Sequence, residues 1–514
     1  MLQASRYNAE QALIESTMNP SSPRLLFPYL LALLLGAGAM FGYAPFYLFP
    51  LPVLALAGLF WLWQRAGTAG QAARLGFSFG LGLFGAGIYW IYISLHTYGG
   101  MPPAGAAFAT FCLAAFLALF PALAGWLSKH GPALLITAPV WWALADWTRG
   151  WIFTGFPWMT VGYSQVPGSP LAGYTPLLGI YGISLLTAAS AALLVLLLQP
   201  AKRKPALLAL VGLWLAGSLL KLVPWTTPDG EPVSVALLQG NISQDLKWQP
   251  EEAQRTLDGY LQLVQNAQAK LIVLPETALP MLLQQAPEDY LQALAEHGKQ
   301  QQGDVLVGIV EYENAHYYNT MLSLGSAESQ RYRKSHLVPF GEFIPLKAIF
   351  GWVYQDWLNI PLTDFARGGF AQRPLQIAGQ RVAVNICYED VFGEEIIHQL
   401  PEATLLVNTS NDAWYGRSTA AYQHLQISQA RALETGRVML RATNTGATAV
   451  IDRDGRVLSQ LPHFETATLS AEVQGYRGST PFIVYGNYGF LLLALLILLL
   501  TRWRARAWWS ISRS

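Results

Sequence analysis

Between Arg74 and Lys129, and again between Arg149 and Lys202, the chain contains no aspartate, glutamate, lysine or arginine. Charge-free stretches of this length cannot build the polar surface of a water-soluble domain. In lipid their backbone groups are satisfied only within helices or closed barrels. Apolar runs recur at about 25–43, 46–63, 75–95, 104–127, 132–147, 170–199 and 206–223. Most approach the ~20 residues that cross a hydrocarbon core. The 132–147 run is short, and 170–199 is long enough to begin with an interfacial stretch. Seven membrane spans are therefore expected over 25–223, and an eighth over about 483–501. The small residues Gly36 to Ala39 suit helix packing better than signal cleavage.

The remaining charge is unevenly spread. Only 12% of the 514 residues are charged, against about 25% in soluble domains. Residues 1–223 hold ten basic and three acidic residues, and 224–500 hold 18 basic and 28 acidic ones. The last 14 residues carry four arginines and no acid. Basic residues mark the cytoplasmic side of a membrane protein. With seven spans, Arg6, Arg24, Arg65, Arg74, Lys129, Lys202, Arg203, Lys204 and the tail arginines all fall on one side, and Arg149 is the exception. This places segment 1–24 and tail 502–514 in the cytoplasm. Region 224–482 then lies across the membrane, in a bacterium on the periplasmic side of the inner membrane. The basic residues form no folded patch that would bind nucleic acid. Two cysteines, Cys112 and Cys387, argue against a disulfide framework.

Region 224–482 reads as one α/β domain. Strands are expected at 233–239, 270–274, 305–310, 319–324, 381–387, 403–408, 438–443, 447–451 and 456–459, with helices at 251–269, 289–301 and 419–435. Alternating strands and helices followed by closely spaced strands indicate layered α/β architecture.

Three apolar strands end in a chemically useful residue: Glu276 in Leu-Pro-Glu-Thr, Lys334 in Arg-Lys-Ser-His and Cys387 in Asn-Ile-Cys-Tyr-Glu. A lone cysteine after valines and isoleucines is more often a buried hydrophobe. A thiol becomes a nucleophile when a base or cation activates it. A carboxylate and an ammonium ion would supply both. Histidines His336 and His424 remain open as partners, but neither lies in a recognisable cysteine–histidine motif. The eight histidines show no metal-ligand spacing, so no metal is expected.

The order Glu, Lys, Cys in these settings resembles the carbon–nitrogen hydrolase (nitrilase) superfamily over about 230–475. Over the whole chain, the strings Thr154–Trp158, Gln239–Ile242, Leu246–Trp248, Pro275–Thr277, Lys334–Glu342 and Cys387–Glu389 are similar to bacterial apolipoprotein N-acyltransferases. The resemblance implies a polytopic α-helical membrane domain of about eight transmembrane helices. It also implies an α/β nitrilase-like domain built as an αββα four-layer sandwich. It implies Glu276 as general base, Lys334 as oxyanion stabiliser and Cys387 as nucleophile, with Glu342, Tyr388 and Glu389 in support. Trp158 and Trp248 would contact substrate. The implied activity moves an acyl chain from a membrane phospholipid, through a cysteine thioester, to the α-amine of a diacylated apolipoprotein. It would proceed in the bilayer and without a cofactor, and a monomer is expected.

An aromatic, apolar stretch runs from Phe343 to Tyr354 within an otherwise acidic domain. Phe343, Phe350 and Trp352 are expected to lie on the bilayer and gate lipid entry. Two other functions fit parts of the pattern. A membrane-anchored amidase would use the same triad but admit water, although one anchor would then suffice. A transporter with a degenerate nitrilase-like domain would need polar residues lining its spans; only Asp146 and Lys221 come close.

Overall fold

The computed structural model describes residues 23–245, 247, 249–345 and 364–511. The expectations for segment 1–22, for Trp248, Phe350 and Trp352, and for the end of the tail lie outside the described residues.

The apolar runs form helices in the expected order: α1 (Pro23–Ala39), α2 (Pro50–Arg65), α3 (Ala69–Gly87), α4 (Pro103–His130), α5 (Leu134–Arg149), α6 (Thr175–Leu197) and α7 (Arg203–Leu220). Glycines bring them together. A Cβ on Gly76 or Gly82 would stand within 2.3 Å of a backbone carbonyl of α4 or α1, so these crossings need bare backbone. Outward faces are apolar: Leu207, Leu208, Val211, Leu215 and Leu219 of α7 are all exposed. Among the described residues four helices are long and apolar enough to cross a bilayer individually. A fifth is added if the bent pair Ala69–Gly87 and Ile91–Tyr98 counts as one span. The 75–95 run is thus broken, because its helix stops at Gly87 and a short π-helical turn, Ser94–Tyr98, follows. The run from 170 starts with a 3₁₀ turn, Pro170–Tyr174, before α6.

Helix α6 is interrupted at Gly179, whose φ of +64° lies in the left-handed region. A side chain there would also strike Phe482. The break frees the Ile180 N–H, which donates to Glu434 Oε1 at 2.8 Å. A membrane helix is thereby tied to the domain that follows it.

That domain contributes helices α8 (Pro250–Asn266), α9 (Glu288–Gln300) and α10 (Ala420–Thr435), and α11 (Tyr488–Ile511) returns to the bundle. Its strands are β1 (Val233–Gln239), β2 (Leu271–Val273), β3 (Asp304–Glu313), β4 (His316–Gly325), β5 (Arg331–Arg333), β6 (Leu375–Ile377), β7 (Gln380–Ile386), β8 (Leu405–Ser410), β9 (Val438–Thr443), β10 (Ala449–Ile451), β11 (Val457–Gln460) and β12 (Ala467–Val473). Two large sheets result, ordered β12-β1-β2-β3-β4-β5 and β11-β10-β9-β8-β7-β6; Leu279–Leu282 also pairs with β3, and Thr227–Pro228 pairs with Tyr476–Arg477 in a separate two-stranded sheet. In each large sheet, a parallel centre is flanked by antiparallel pairs; β1, β2 and β3 run parallel, as do β7, β8 and β9.

The sheets share a core. Val235, Leu237, Val273 and Leu306 of the first pack with Val384, Ile386, Val407 and Leu440 of the second. The far face of the first sheet is covered by Leu257, Tyr260 and Val264 of α8 and by Leu294 of α9. Ala383, Leu406 and Met439, on the far face of the second, pack with Leu425 and Ala432 of α10. Strands β5, β6 and β12 were not anticipated. β5 and β6 are only three residues long, too short to show a period.

Helix α10 lies between domain and bundle, and all its residues but Tyr422 are buried. Its glutamines meet backbone that the bundle's irregular segments leave free. Gln423 Nε2 donates to the Gly87 carbonyl at 3.1 Å, and Gln426 accepts from Ala44 N–H at 2.9 Å and donates to the Val166 carbonyl at 2.9 Å. Unpaired buried backbone groups are costly, so these amides explain how the bundle tolerates breaks beside the domain.

Candidate active site

Each expected active-site residue follows a strand. Glu276 comes after β2, Lys334 after β5 and Cys387 after β7. Cys387 has φ of +54°, a conformation that costs a non-glycine residue of order 1–3 kcal/mol and recurs at functional sites. The sharp turn ends the strand and starts a 3₁₀ turn, Cys387–Val391.

The Lys334 ammonium, 1% exposed, donates to Glu276 Oε1 at 3.1 Å and to Glu342 Oε1 at 2.9 Å. An ammonium has three donors, so one is uncommitted among the described residues. Asn319 Nδ2 bridges the same two oxygens, at 2.8 Å from Glu276 and 3.0 Å from Glu342. The other Glu276 oxygen accepts the Asn411 N–H at 3.0 Å. Glu342 Oε2 accepts the Val338 N–H at 2.8 Å. One lysine and one amide thus hold the buried Glu276 carboxylate and the half-buried Glu342 carboxylate in register.

Burial alone would raise the Glu276 pKa, but Lys334 and Asn319 outweigh it and hold the carboxyl below its ordinary value. Burial opposes the charge on Lys334, yet Glu276 and Glu342 raise its pKa well above normal. Cys387 goes the other way: burial, then the Glu276 charge, push the thiol well above its usual range, and Lys334 only partly offsets this. At rest the site therefore holds a carboxylate, an ammonium and a neutral thiol. This set can take up the thiol proton as the sulfur attacks.

Tyr388 and Glu389, the two residues after the cysteine, are both buried. Glu389 accepts N–H groups from Ser335 at 2.6 Å, His336 at 3.0 Å and Ile386 at 2.6 Å, besides the Tyr332 hydroxyl at 3.0 Å. It fastens the end of β7 to the loop of Lys334. Burial pushes Glu389 up to about 7, against the pull of those donors. The Tyr388 hydroxyl donates to the Gly155 carbonyl at 2.9 Å, so the turn is also tied to the Thr154–Trp158 string of the bundle. Trp158 is buried there. Its indole N–H donates to Gln423 Oε1 at 2.7 Å, and its ring packs against Trp90 and His424. Arg149, the exception to the charge pattern, pairs with Asp146 at 3.0 Å and donates to the Phe156 and Trp158 carbonyls at 2.5 and 2.6 Å. Phe343 is half-buried and pairs with Pro339 in an isolated bridge.

Sequence reasoning missed Asn319 and a buried polar cluster beneath the cysteine. A polar side chain between Tyr317 and Met321 on the inward face of β4 was the available sign of Asn319. In the cluster, His424 bonds Asp412 at 2.9 Å and Asp390 at 2.8 Å, and Arg441 bonds Asp412 at 2.7 Å, Asp390 at 3.2 Å and Asn408 at 2.6 Å. Burial and Arg441 oppose the charge on His424, but the two aspartates prevail and its pKa rises to about 9. Asn408 Nδ2 and His424 Nε2 both bond the Cys387 carbonyl, at 3.2 and 3.1 Å. His424 therefore braces the backbone of Cys387. His336 bonds Glu395 at 2.8 Å. Among the described residues no group of three or more His, Cys, Asp or Glu is arranged to hold a metal ion.

Comparison with known proteins follows this division of the chain. The apolipoprotein N-acyltransferase N-terminal domain matches residues 35–193, and carbon–nitrogen hydrolase matches residues 234–482. An apolipoprotein N-acyltransferase of Nitrosomonas europaea is 56% identical over 483 residues, covering 92% of this chain and 96% of its own. Those of Chromobacterium violaceum and Methylococcus capsulatus are each 44% identical, over 95% and 89% of this chain and 98% and 92% of their own. The membrane bundle and the hydrolase-like domain are thus matched together, and the chain belongs to the apolipoprotein N-acyltransferase family.

Proposed function

We propose that this enzyme transfers a fatty acyl chain from a membrane phospholipid to the α-amine of the diacylglyceryl-cysteine that begins an apolipoprotein. A thioester on Cys387 carries the chain between them. The observation that carries this reading is the ion-paired Lys334–Glu276–Glu342 group, in which the Glu276 and Lys334 charges act on the Cys387 thiol. The names of the relatives favour transfer to a lipoprotein over hydrolysis of a small amide.

In the first half-reaction Glu276 accepts the Cys387 proton as the sulfur attacks the ester carbonyl. The uncommitted N–H of Lys334 meets the developing oxyanion. The carbon–oxygen bond breaks, and Glu276 returns the proton to the departing lysophospholipid. In the second, the lipoprotein amine attacks the thioester, Glu276 takes its proton, and the amide leaves as Cys387 regains a hydrogen. Ester to thioester is nearly balanced and thioester to amide runs downhill, so neither ATP nor a cofactor is required. Ping-pong kinetics follow.

In this reading the apolar helices of 25–223 and 483–501 make eight spans, and both termini are cytoplasmic. Region 224–482 is an αββα four-layer domain on the periplasmic face of the inner membrane. The distribution of lysine and arginine supports that orientation. Phe343, with Phe350 and Trp352 further along the same aromatic stretch, would gate lipid entry, and the enzyme would act as a monomer. Incubation with acyl-labelled phospholipid alone tests the scheme. A hydroxylamine-sensitive acyl-enzyme is expected in the native protein and absent in Cys387→Ala; label retained by that variant would overturn the assignment.

A further inference from the structure

Between the membrane bundle and the catalytic domain lies a groove of about 580 Å³. Tyr47, Phe49 and Val166 form its bundle wall, and Tyr422, Leu425 and Val457 its domain wall. Tyr422, Leu425 and Gln429 lie on one face of α10, whereas His424, Ser428 and Arg431 lie on the other, as the 3.6-residue period requires. His424 braces Cys387 from that opposite face, so the groove and the active site are separated by the helix.

The groove lies where the spans give way to the domain. Helix α2 starts at Pro50, just after Phe49, and α7 stops at Leu220, just before Lys221. Leu48, Leu222 and Leu458 beside it are 52, 77 and 62% exposed. The walls are mainly apolar, but cations stand at the groove. Arg456 lines it and makes no ion pair among the described residues. The adjacent acid, Asp452, is taken up by its own turn, where it accepts the backbone N–H groups of Asp454 at 2.9 Å and Arg456 at 2.7 Å. The Lys221 ammonium is held over Pro167 and Gly168, both lining residues, by bonds to their carbonyls at 3.0 and 3.4 Å. An apolar slot, two cations and a position at the end of the spans match one kind of molecule, an amphiphile with an anionic head.

We propose that this groove binds a glycerophospholipid of the surrounding bilayer as a resident, non-reacting lipid, its chains along the apolar walls and its phosphate against Arg456 and Lys221. Such a lipid would seal the junction that the Tyr47 hydroxyl already bridges through its 3.1 Å bond to Gln429.

The test uses the full chain in nanodiscs containing phosphatidylglycerol with a photoactivatable diazirine in one acyl chain. Cross-links are mapped by peptide mass spectrometry. Labelling is expected at 45–49, 164–168 or 457–460, and roughly tenfold weaker in Arg456→Gln/Lys221→Gln, since each lost cation removes about one charge contact. Labelling on the exposed face of α7 should stay constant, which also reports that the variant is folded. Arg456→Lys/Lys221→Arg should restore the groove signal. Groove labelling no stronger than on α7, equal labelling in the double Gln variant, or equal labelling by a diacylglycerol probe would each overturn the proposal. Loss of the signal on adding millimolar inorganic phosphate would do so too, because the site would then recognise the free anion.

Discussion

Glu389 accepts the Ser335 N–H at 2.6 Å, so a carboxylate two residues beyond Cys387 holds the loop that carries Lys334. The same side chain binds the Ile386 N–H at the end of β7. It thereby ties the end of β7 to the loop that carries Lys334. Glu389→Gln puts an amide N–H₂ opposite N–H donors. We expect a stability loss of about 1.5–3 kcal/mol, the range for hydrogen bonds to a charged group, measured by thermal unfolding. Acyl-enzyme formation should slow as well.

Glu276→Gln should slow acyl-enzyme formation by about 10²–10⁴-fold, the usual contribution of a positioned base. Single-turnover assays with labelled phospholipid measure it. Gln keeps the shape of the side chain, so unfolding should change far less than the rate. A rate within threefold of native would remove Glu276 from the base role.

The pH dependence of thiol reactivity follows from the charges around Cys387. Its pKa is raised by burial and by Glu276, so the thiolate is scarce at neutral pH. Alkylation by iodoacetamide should keep rising beyond pH 9. In Glu276→Gln one raising influence is gone, and the curve should move to lower pH. A plateau below pH 7 in the native protein would instead indicate a preformed ion pair.

The polar cluster under Cys387 has its own pH signature. His424 titrates near 9 in the folded protein against an ordinary 6.5. A raised pKa for a base means that its charged form is favoured by folding. The stabilisation is complete below about pH 6.5 and is lost as pH rises through about 9. Melting temperature should fall over that window and should flatten in His424→Gln. Arg441→Met, which leaves Asp390 and Asp412 to share the His424 cation alone, should cost about 3–5 kcal/mol.

The parts legible in the sequence were those with a local physical signature. Charge-free runs announced the bundle, and strand-ending Glu276, Lys334 and Cys387 stood out against the apolar residues before them. What escaped depends on contacts between distant segments. Asn319 is one polar residue in a strand until β4 is seen to bring it to both Glu276 and Glu342. Arg149 reads as a charge on the wrong side until its bonds to the Phe156 and Trp158 carbonyls are seen. Glu434 reads as a helix acid, although it caps a break in α6 that lies 254 residues away. The three-residue strands β5 and β6 take their form from their neighbours in the sheets.

The central claim is acyl transfer through Cys387 to a lipoprotein amine. Its most direct test is mass spectrometry of the N-terminal peptide of a diacylated lipoprotein after incubation with the enzyme and phospholipid. A mass gain of one acyl chain on the α-amine is expected, with none formed by Cys387→Ala. Free fatty acid accumulating beside an unmodified amine, or N-acylation persisting in that variant, would contradict it.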